Sequence, residues 1–224
     1  MKVVIQCSAT KAKNAGTFQV NGRTVRFVAH PELCQPNTTE IFAHPDDHLP
    51  SGGTTWREHL EAYNRGKSNL ANLLRAGDLY TPNGSTAYQL LLQKFGYQDV
   101  YILSAGWGLI RADYLIPDYD ITFAKHKKIG GQKKRGKKDS YQDLAQLTAH
   151  RTSEGELVYF FGGLDYLPLF LKLTDGLDIW RRVYFTTTRA DKLLKAERCC
   201  YIKYSAKREQ NWHYDCVEEN IDKL

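Results

Sequence analysis

The sequence predicts an α/β protein built on a mainly parallel sheet, and three observations predict it. Four apolar, β-rich runs, "KVVIQCS", "DVYILSAGWG", "GELVYFFGGLDY" and "WRRVYFTTTRA", each empty into a Gly, Ser or Thr turn. Helical patterns separate them: "TTWREHLEAYNRGKSNLANLLRAG", "STAYQLLLQKFG", "SYQDLAQLTAHRT" and "LDYLPLFLKLTDG". Composition over 224 residues, 42 % hydrophobic and 25 % charged, suits one domain with a substantial core. Strands alternating with helices imply parallel pairing, so residues 1–224 are read as a single Rossmann-like domain. Ligands of such sheets collect at the carboxyl ends of the strands. Cys7, Ser8, Ser104, Gly106, Gly108, Gly162 and Gly163 are thereby expected on one rim.

The elements follow from local pattern. In the first helical stretch Trp56, Leu60, Tyr63, Leu70, Leu73 and Leu74 recur near helical spacing, and Thr54 or Thr55 offers an N-cap. Residues 21–53 stand outside the alternation. "VNGRTVRFVAHP" reads as part of a hairpin and "ELCQPNTTEIFAHPDDHLPSGG" as loop, together an insertion after the first strand that lies over the rim.

No apolar run approaches the roughly 18 to 20 residues that span a bilayer, and the start is too short for a secretory signal. A cytoplasmic location is expected. Five cysteines (Cys7, Cys34, Cys199, Cys200, Cys216) are odd in number and irregularly spaced, which argues for reduced thiols rather than a disulfide framework.

The net charge of +6 is local. "KHKKIGGQKKRGKKD" carries eight Lys or Arg between Lys125 and Lys138, and the rest of the chain is slightly acidic. This basic loop, about 125–138, is expected to be mobile and to neutralise phosphates, with Lys127, Lys128, Lys133, Lys134, Arg135, Lys137 and Lys138 as nucleic-acid contacts. The plain alternative is a solvated flap.

The stretch "ILSAGWGLIRADYLIPDYDITF" begins as a core strand and turns polar. Ser104 at a strand end can cap a turn or bind an anion, and Gly106 and Gly108 allow close backbone approach. The alternative is a tight turn that packs Trp107 into the core. Asp118 and Asp120 flank Tyr119 behind Pro117, offering sugar or base-edge hydrogen bonds and a general base. Trp107, Tyr114 and Tyr119 can stack on a base. In "QCSATK", Lys11 lies close enough to Cys7 to lower a thiol pKa and make a nucleophile, although a Cys at a strand end is more often packing. "FAHPDDH" supplies His44, Asp47 and His48, ligand types that zinc accepts. Since the first strand is already spent and no later His pair completes the set, a Pro-rich loop is the preferred reading and no metal or cofactor is expected.

Cys-Ser-x-x-Lys at Cys7–Lys11, "DLYTP", Ser104, Gly108, Leu109, Pro117, Tyr119 and Asp120, and then "FFGGLDYLPLF" stand in the order found in YaaA-related domains, which the chain resembles across residues 3 to 170. That resemblance implies DNA binding and a role in stress response. The Cys-Ser-x-x-Lys run also resembles that of archaeosine synthases, with Ala12 and Lys13 here in place of their Pro and Tyr. The combined expectation is a protein that binds nucleic acid, DNA before RNA, or a nucleotide, and modifies a nucleobase or processes an N-glycosidic bond. Cys7, Lys11 and Asp120 would be its catalytic groups, with Ser8, Ser104, Gly106, Gly108, Tyr119, Gly162 and Gly163 binding the ligand. The alternatives are a non-catalytic DNA-binding stress or defence protein and, third, a zinc-dependent hydrolase.

Overall fold

A computed structural model describes the chain except for residues 67, 83, 125–129, 137, 187–194 and 208–210. The described elements, in chain order, are β1 (Lys2–Gln6), β2 (Gln19–Val20), β3 (Arg23–Val28), β4 (Glu40–Ala43), α1 (Trp56–Arg65), β5 (Leu74–Arg75), α2 (Ala76–Leu79) and α3 (Ala87–Asp99). Then come β6 (Val100–Ser104), β7 (Gly108–Arg111), β8 (Leu115–Ile116), β9 (Tyr119–Asp120), β10 (Leu144–Ala145), β11 (Glu156–Phe161), α4 (Leu167–Leu173), β12 (Ile179–Thr186), β13 (Cys199–Tyr204) and α5 (Trp212–Asn220).

The fold is mixed α/β around a seven-stranded sheet ordered β10-β7-β6-β1-β11-β12-β13. Every pair is parallel except β6 with β7. β1 sits between β6 and β11, and its Val3, Val4 and Ile5 are fully buried, as both faces of a central parallel strand require. The ends of β1, β6 and β11 therefore place Cys7, Ser104 and Gly162 side by side, and Cys7 N–H donates to Leu103 C=O at 3.0 Å. No described helix is long and apolar enough to cross a membrane.

Residues 21–53 are more ordered than a loop insertion. Asn21 and Gly22 adopt positive φ (49° and 76°), the backbone that a two-residue hairpin turn needs, and join β2 to β3. β3 then runs parallel to β4 and, by Phe27–Tyr119 and Val28–Asp120 pairing, to β9. The insertion thus supplies the strand that fixes Tyr119 and Asp120.

Two helical expectations are corrected. α1 starts as expected, with Thr55 and Glu58 forming a reciprocal capping box, but it ends at Gly66. Asn69 then folds the chain back: its Oδ1 accepts from Leu73 N–H (2.8 Å) and Tyr63 OH (2.9 Å). Residues 140–152 form no α-helix. Leu144 N–H donates to Trp107 C=O and Gln146 N–H to Leu109 C=O, so backbone pairing with the β6–β7 hairpin overrides the helical pattern.

Gly108 shows how tight that junction is. Its φ is +92°, and an added Cβ would lie 2.5 Å from Leu144 O and 2.6 Å from Leu144 N. Gly176 also has positive φ (+71°) but faces open space. In urea unfolding, Gly176→Ala should cost about 1 kcal/mol of backbone strain, whereas Gly108→Ala should cost roughly 3 kcal/mol or more because a clash with fixed backbone adds to the strain.

Candidate functional site

Building starts at the turn between β6 and β7, where three successive carbonyls point into the protein. Ala105 C=O accepts from Arg135 (2.8 Å), and Gly106 and Trp107 C=O accept from Arg57 (3.1 Å each). Each guanidinium is neutralised by a carboxylate. Arg135 forms two bonds of 2.7 Å to Asp143, and Arg57 Nε donates to Asp46 at 2.5 Å. Ser104 Oγ accepts from Gly106 N–H (3.2 Å) and Trp107 N–H (3.0 Å), closing the turn from beneath. Trp107 is completely buried, its ring 5.1 Å from that of Phe27.

Beneath this turn lies a layer of buried hydroxyls. Tyr119 OH receives a hydrogen bond from Ser104 (2.9 Å) and lies 2.8 Å from Tyr80 OH. Cys7 Sγ is 3.3 Å from Tyr166 OH, and Tyr88 OH donates to Gln6 C=O at 2.7 Å. Ser8 Oγ accepts from Thr10 N–H (3.2 Å), and Gly163 N–H donates to Gln6 Oε1 (2.6 Å). Burial pushes the Tyr80, Tyr119 and Tyr166 phenols well above their ordinary pKa, with the Cys7 thiol adding to the effect. They remain protonated at any physiological pH and act as hydrogen-bonding groups rather than bases.

Consecutive strand residues face opposite ways, so where Tyr119 turns inward, Asp120 turns out. It opens onto a groove of about 870 Å³ lined by Lys11, Lys13, Arg26, Glu40, Asp118, Asp120 and Lys133, with Phe27, Phe42 and Tyr119 as its aromatic members. Its charges are ordered. Arg26 bonds Glu40 at 2.7 Å and lies 3.7 Å from Asp118, whose other oxygen is 3.8 Å from Lys11 Nζ. Lys11 Nζ also donates to Tyr119 C=O at 2.5 Å and sits 4.5 Å from the centre of the Tyr119 ring. Lys133 pairs with Asp120.

The expected site residues therefore fall into three settings. Lys11, Tyr119 and Asp120 meet in the groove. Cys7, Ser8 and Ser104 lie in the layer behind it, Cys7 only 5 % exposed and none of the three among the groove's lining. Gly106 and Gly108 face packed chain, Gly162 lies against the Phe160 ring, and Gly163 is tied to Gln6. Among the basic residues, Arg135 is corrected outright: it is an interior group locked to Asp143, out of reach of a phosphate backbone. Residues 130–136 are docked rather than mobile, through Thr122 N–H to Lys133 C=O (2.8 Å), Arg135 N–H to Thr122 C=O (2.9 Å) and Ala29 and His30 N–H to Gln132 C=O (2.8 and 2.9 Å). Lys133 lines the groove, Lys134 is half-buried and Lys138 is exposed. Lys127, Lys128 and Lys137 lie outside the described residues.

In the His-Pro-Asp-Asp-His loop the polar groups serve one another. His44 Nδ1 accepts from Asp46 N–H (3.1 Å), Asp47 accepts from His44 N–H (2.6 Å), and Asp46 accepts from Arg57 and from Gln142 N–H (2.9 Å). Among the described residues no group of three His, Cys, Asp or Glu is arranged to hold a metal. Sequence reasoning missed Lys13, Arg26 and Glu40 as groove residues. The alternation in "RTVRFV", with Val25 and Phe27 buried and Arg26 exposed, was the available signal. No family model matches the chain, and no curated protein matches it.

Two outcomes are expected. Arg135→Met leaves Asp143, 1 % exposed, without its cation, and should destabilise the fold by roughly 3–5 kcal/mol in chemical denaturation. Burial lowers the His44 pKa, with Asp46 and Asp47 partly opposing it. The native state thus favours the neutral ring, and its contribution to stability is complete above the ordinary value of 6.5 and lost as pH falls through it towards the lower folded value. Denaturation midpoints recorded across that window should fall on acidification, and less so in His44→Asn.

Proposed function

We propose that the chain binds a nucleotide, free or as an accessible unit of a nucleic acid strand, in the groove beside Tyr119 and Asp120. The observation that carries this reading is the groove's composition: four cations, three carboxylates and the half-buried ring of Phe42 line one cleft of about 870 Å³, with the buried Phe27 and Tyr119 behind it. Phosphate asks for Lys and Arg, ribose hydroxyls and base edges ask for carboxylates, and a base asks for an aromatic face. The neighbourhood is compatible with the same reading: Ala9 and Lys11, just beyond the carboxyl end of β1, line the groove, and in chain order the adjoining parallel strands β6-β1-β11-β12-β13 run 2-1-3-4-5, as in doubly wound sheets whose ligands bind beside the carboxyl ends.

The chemistry that suits these groups is base modification or cleavage of an N-glycosidic bond, in keeping with the resemblance to YaaA-related domains. Asp120, the carboxylate of β9 and more exposed than its neighbour Asp118, is the group suited to act as general base or to stabilise an oxocarbenium ion. Lys11 holds β9 in place through Tyr119 C=O and Asp118. Cys7, packed against Tyr166 and screened from the groove, has no nucleophilic part in this scheme. The purely DNA-binding alternative receives less support, because of the four described basic-segment candidates Arg135 is interior and Lys133 is paired across the groove.

Isothermal titration with a panel of nucleoside monophosphates and short single-stranded DNA and RNA tests the reading. Binding is expected to weaken as salt rises, and Arg26→Ala and Lys13→Ala should each lower affinity about fivefold or more, near the 1 kcal/mol that one exposed charge supplies. Absence of binding to every member at millimolar concentration, or affinities indifferent to both substitutions, would refute it.

A further inference from the structure

We infer that Lys133 and Asp120 form an anion-operated latch: the protein's own ammonium group occupies the Asp120 carboxylate until a phosphate draws it away. The inference rests on the nucleotide reading above and concerns the regulation of that site.

Lys133 and Asp120 both line the groove and are each other's ion-pair partner among the described residues. The neighbouring carboxylate is held differently, since Asp118 lies between Arg26 and Lys11. The two carboxylates of the Asp-Tyr-Asp run thus have separate roles, one fastened between two cations and one closed by a single long side chain. The segment bearing Lys133 does not depend on that side chain for its position. Four backbone hydrogen bonds, from Thr122, Ala29 and His30 to the segment and from Arg135 back to Thr122, fix its turn Gly131–Lys133 against the ends of β3 and β9. The ammonium group can change partners by rotamer alone while the wall of the groove stays in place.

Both side chains are open to solvent, at 37 % for Lys133 and 55 % for Asp120. An exposed Lys–carboxylate pair is weak and readily exchanged. A phosphoryl dianion seated among Lys13, Arg26 and Lys133 carries more charge than the carboxylate and offers more acceptor oxygens. It recruits Lys133 and leaves the Asp120 carboxylate without its ion-pair partner beside the rest of the ligand. The carboxylate is then available only when a phosphate-bearing molecule fills the groove. Water and unphosphorylated nucleosides leave the latch closed, which makes the phosphate a licence for whatever Asp120 does.

A latch and a strut differ in sign. In a strut, removing either partner loosens the groove and weakens binding. In a latch, Asp120 competes with the ligand for Lys133, so its removal helps. Titrations of inorganic pyrophosphate and of AMP into the full chain, with thermal unfolding as a check that each variant is folded, should show Lys133→Met weakening both ligands about tenfold. Asp120→Asn should tighten both severalfold. In the Lys133→Met background the effect of Asp120→Asn should largely vanish. Weakened binding in both single variants would overturn the latch in favour of a strut, and equal tightening by Asp120→Asn in both backgrounds would reduce it to general charge repulsion. Each of these outcomes leaves the nucleotide reading standing. No binding of pyrophosphate or AMP by the unaltered protein would overturn the latch, and silence across the nucleotide and oligonucleotide panel would remove the parent reading as well.

Discussion

Two buried guanidinium groups hold the carbonyls of Ala105, Gly106 and Trp107, and the arrangement of the strand ends depends on them. Peptide oxygens that point inward without a donor are costly, and a tight turn at the end of a core strand produces several at once. Arg57, delivered by the first turn of α1, and Arg135, delivered by the basic segment, meet that demand from two directions. Each guanidinium then needs its own counter-charge. Asp46 comes from the insertion and Asp143 from the approach to β10, so four distant parts of the chain are fastened to one turn.

That fastening has consequences on both sides. Below it, Ser104 closes the same turn and reaches Tyr119, linking the end of β6 to β9 through a side-chain hydroxyl. Above it, the segment that carries Arg135 is drawn along the groove, which puts Lys133 opposite Asp120. The alternation of β9 then divides the work between neighbours: one residue belongs to the interior and the next to the solvent-facing cleft. Stability and ligand chemistry meet within two residues.

The sheet was legible in the sequence because its central strands are continuous apolar runs ending in small residues, a pattern that parallel burial imposes. β13 was not read, since "CCYIKY" is an edge strand with mixed exposure and no clean period. Residues 68–73 and 140–152 carry helical spacing, but the local turn that Asn69 makes with Leu73 decides the first, and the tertiary contacts of Asp143 and the pairing of Leu144 with Gly108 decide the second. Part of the site was visible too. The rim residues, Lys11 and the Asp-Tyr-Asp run stood out as polar groups at strand ends. The other wall was invisible because β3 reaches β9 by a parallel pairing that no local pattern announces, and Arg135 was hidden by its neighbours, a cation among cations whose partner lies beyond the run.

The register of β1 sets an order on biosynthesis. Lys2 to Gln6 are synthesised well ahead of their partners: Val100–Leu103 follow roughly 100 residues later and Val158–Phe161 roughly 155 residues later. Until then a strand whose Val3, Val4 and Ile5 are destined for full burial has two bare edges, and such segments invite off-pathway association in a growing polypeptide. A chain cut short before β11 would keep one of those edges permanently. An architecture that centres the sheet on β1 therefore leaves that strand unpaired in the nascent polypeptide until the middle of the sheet can close.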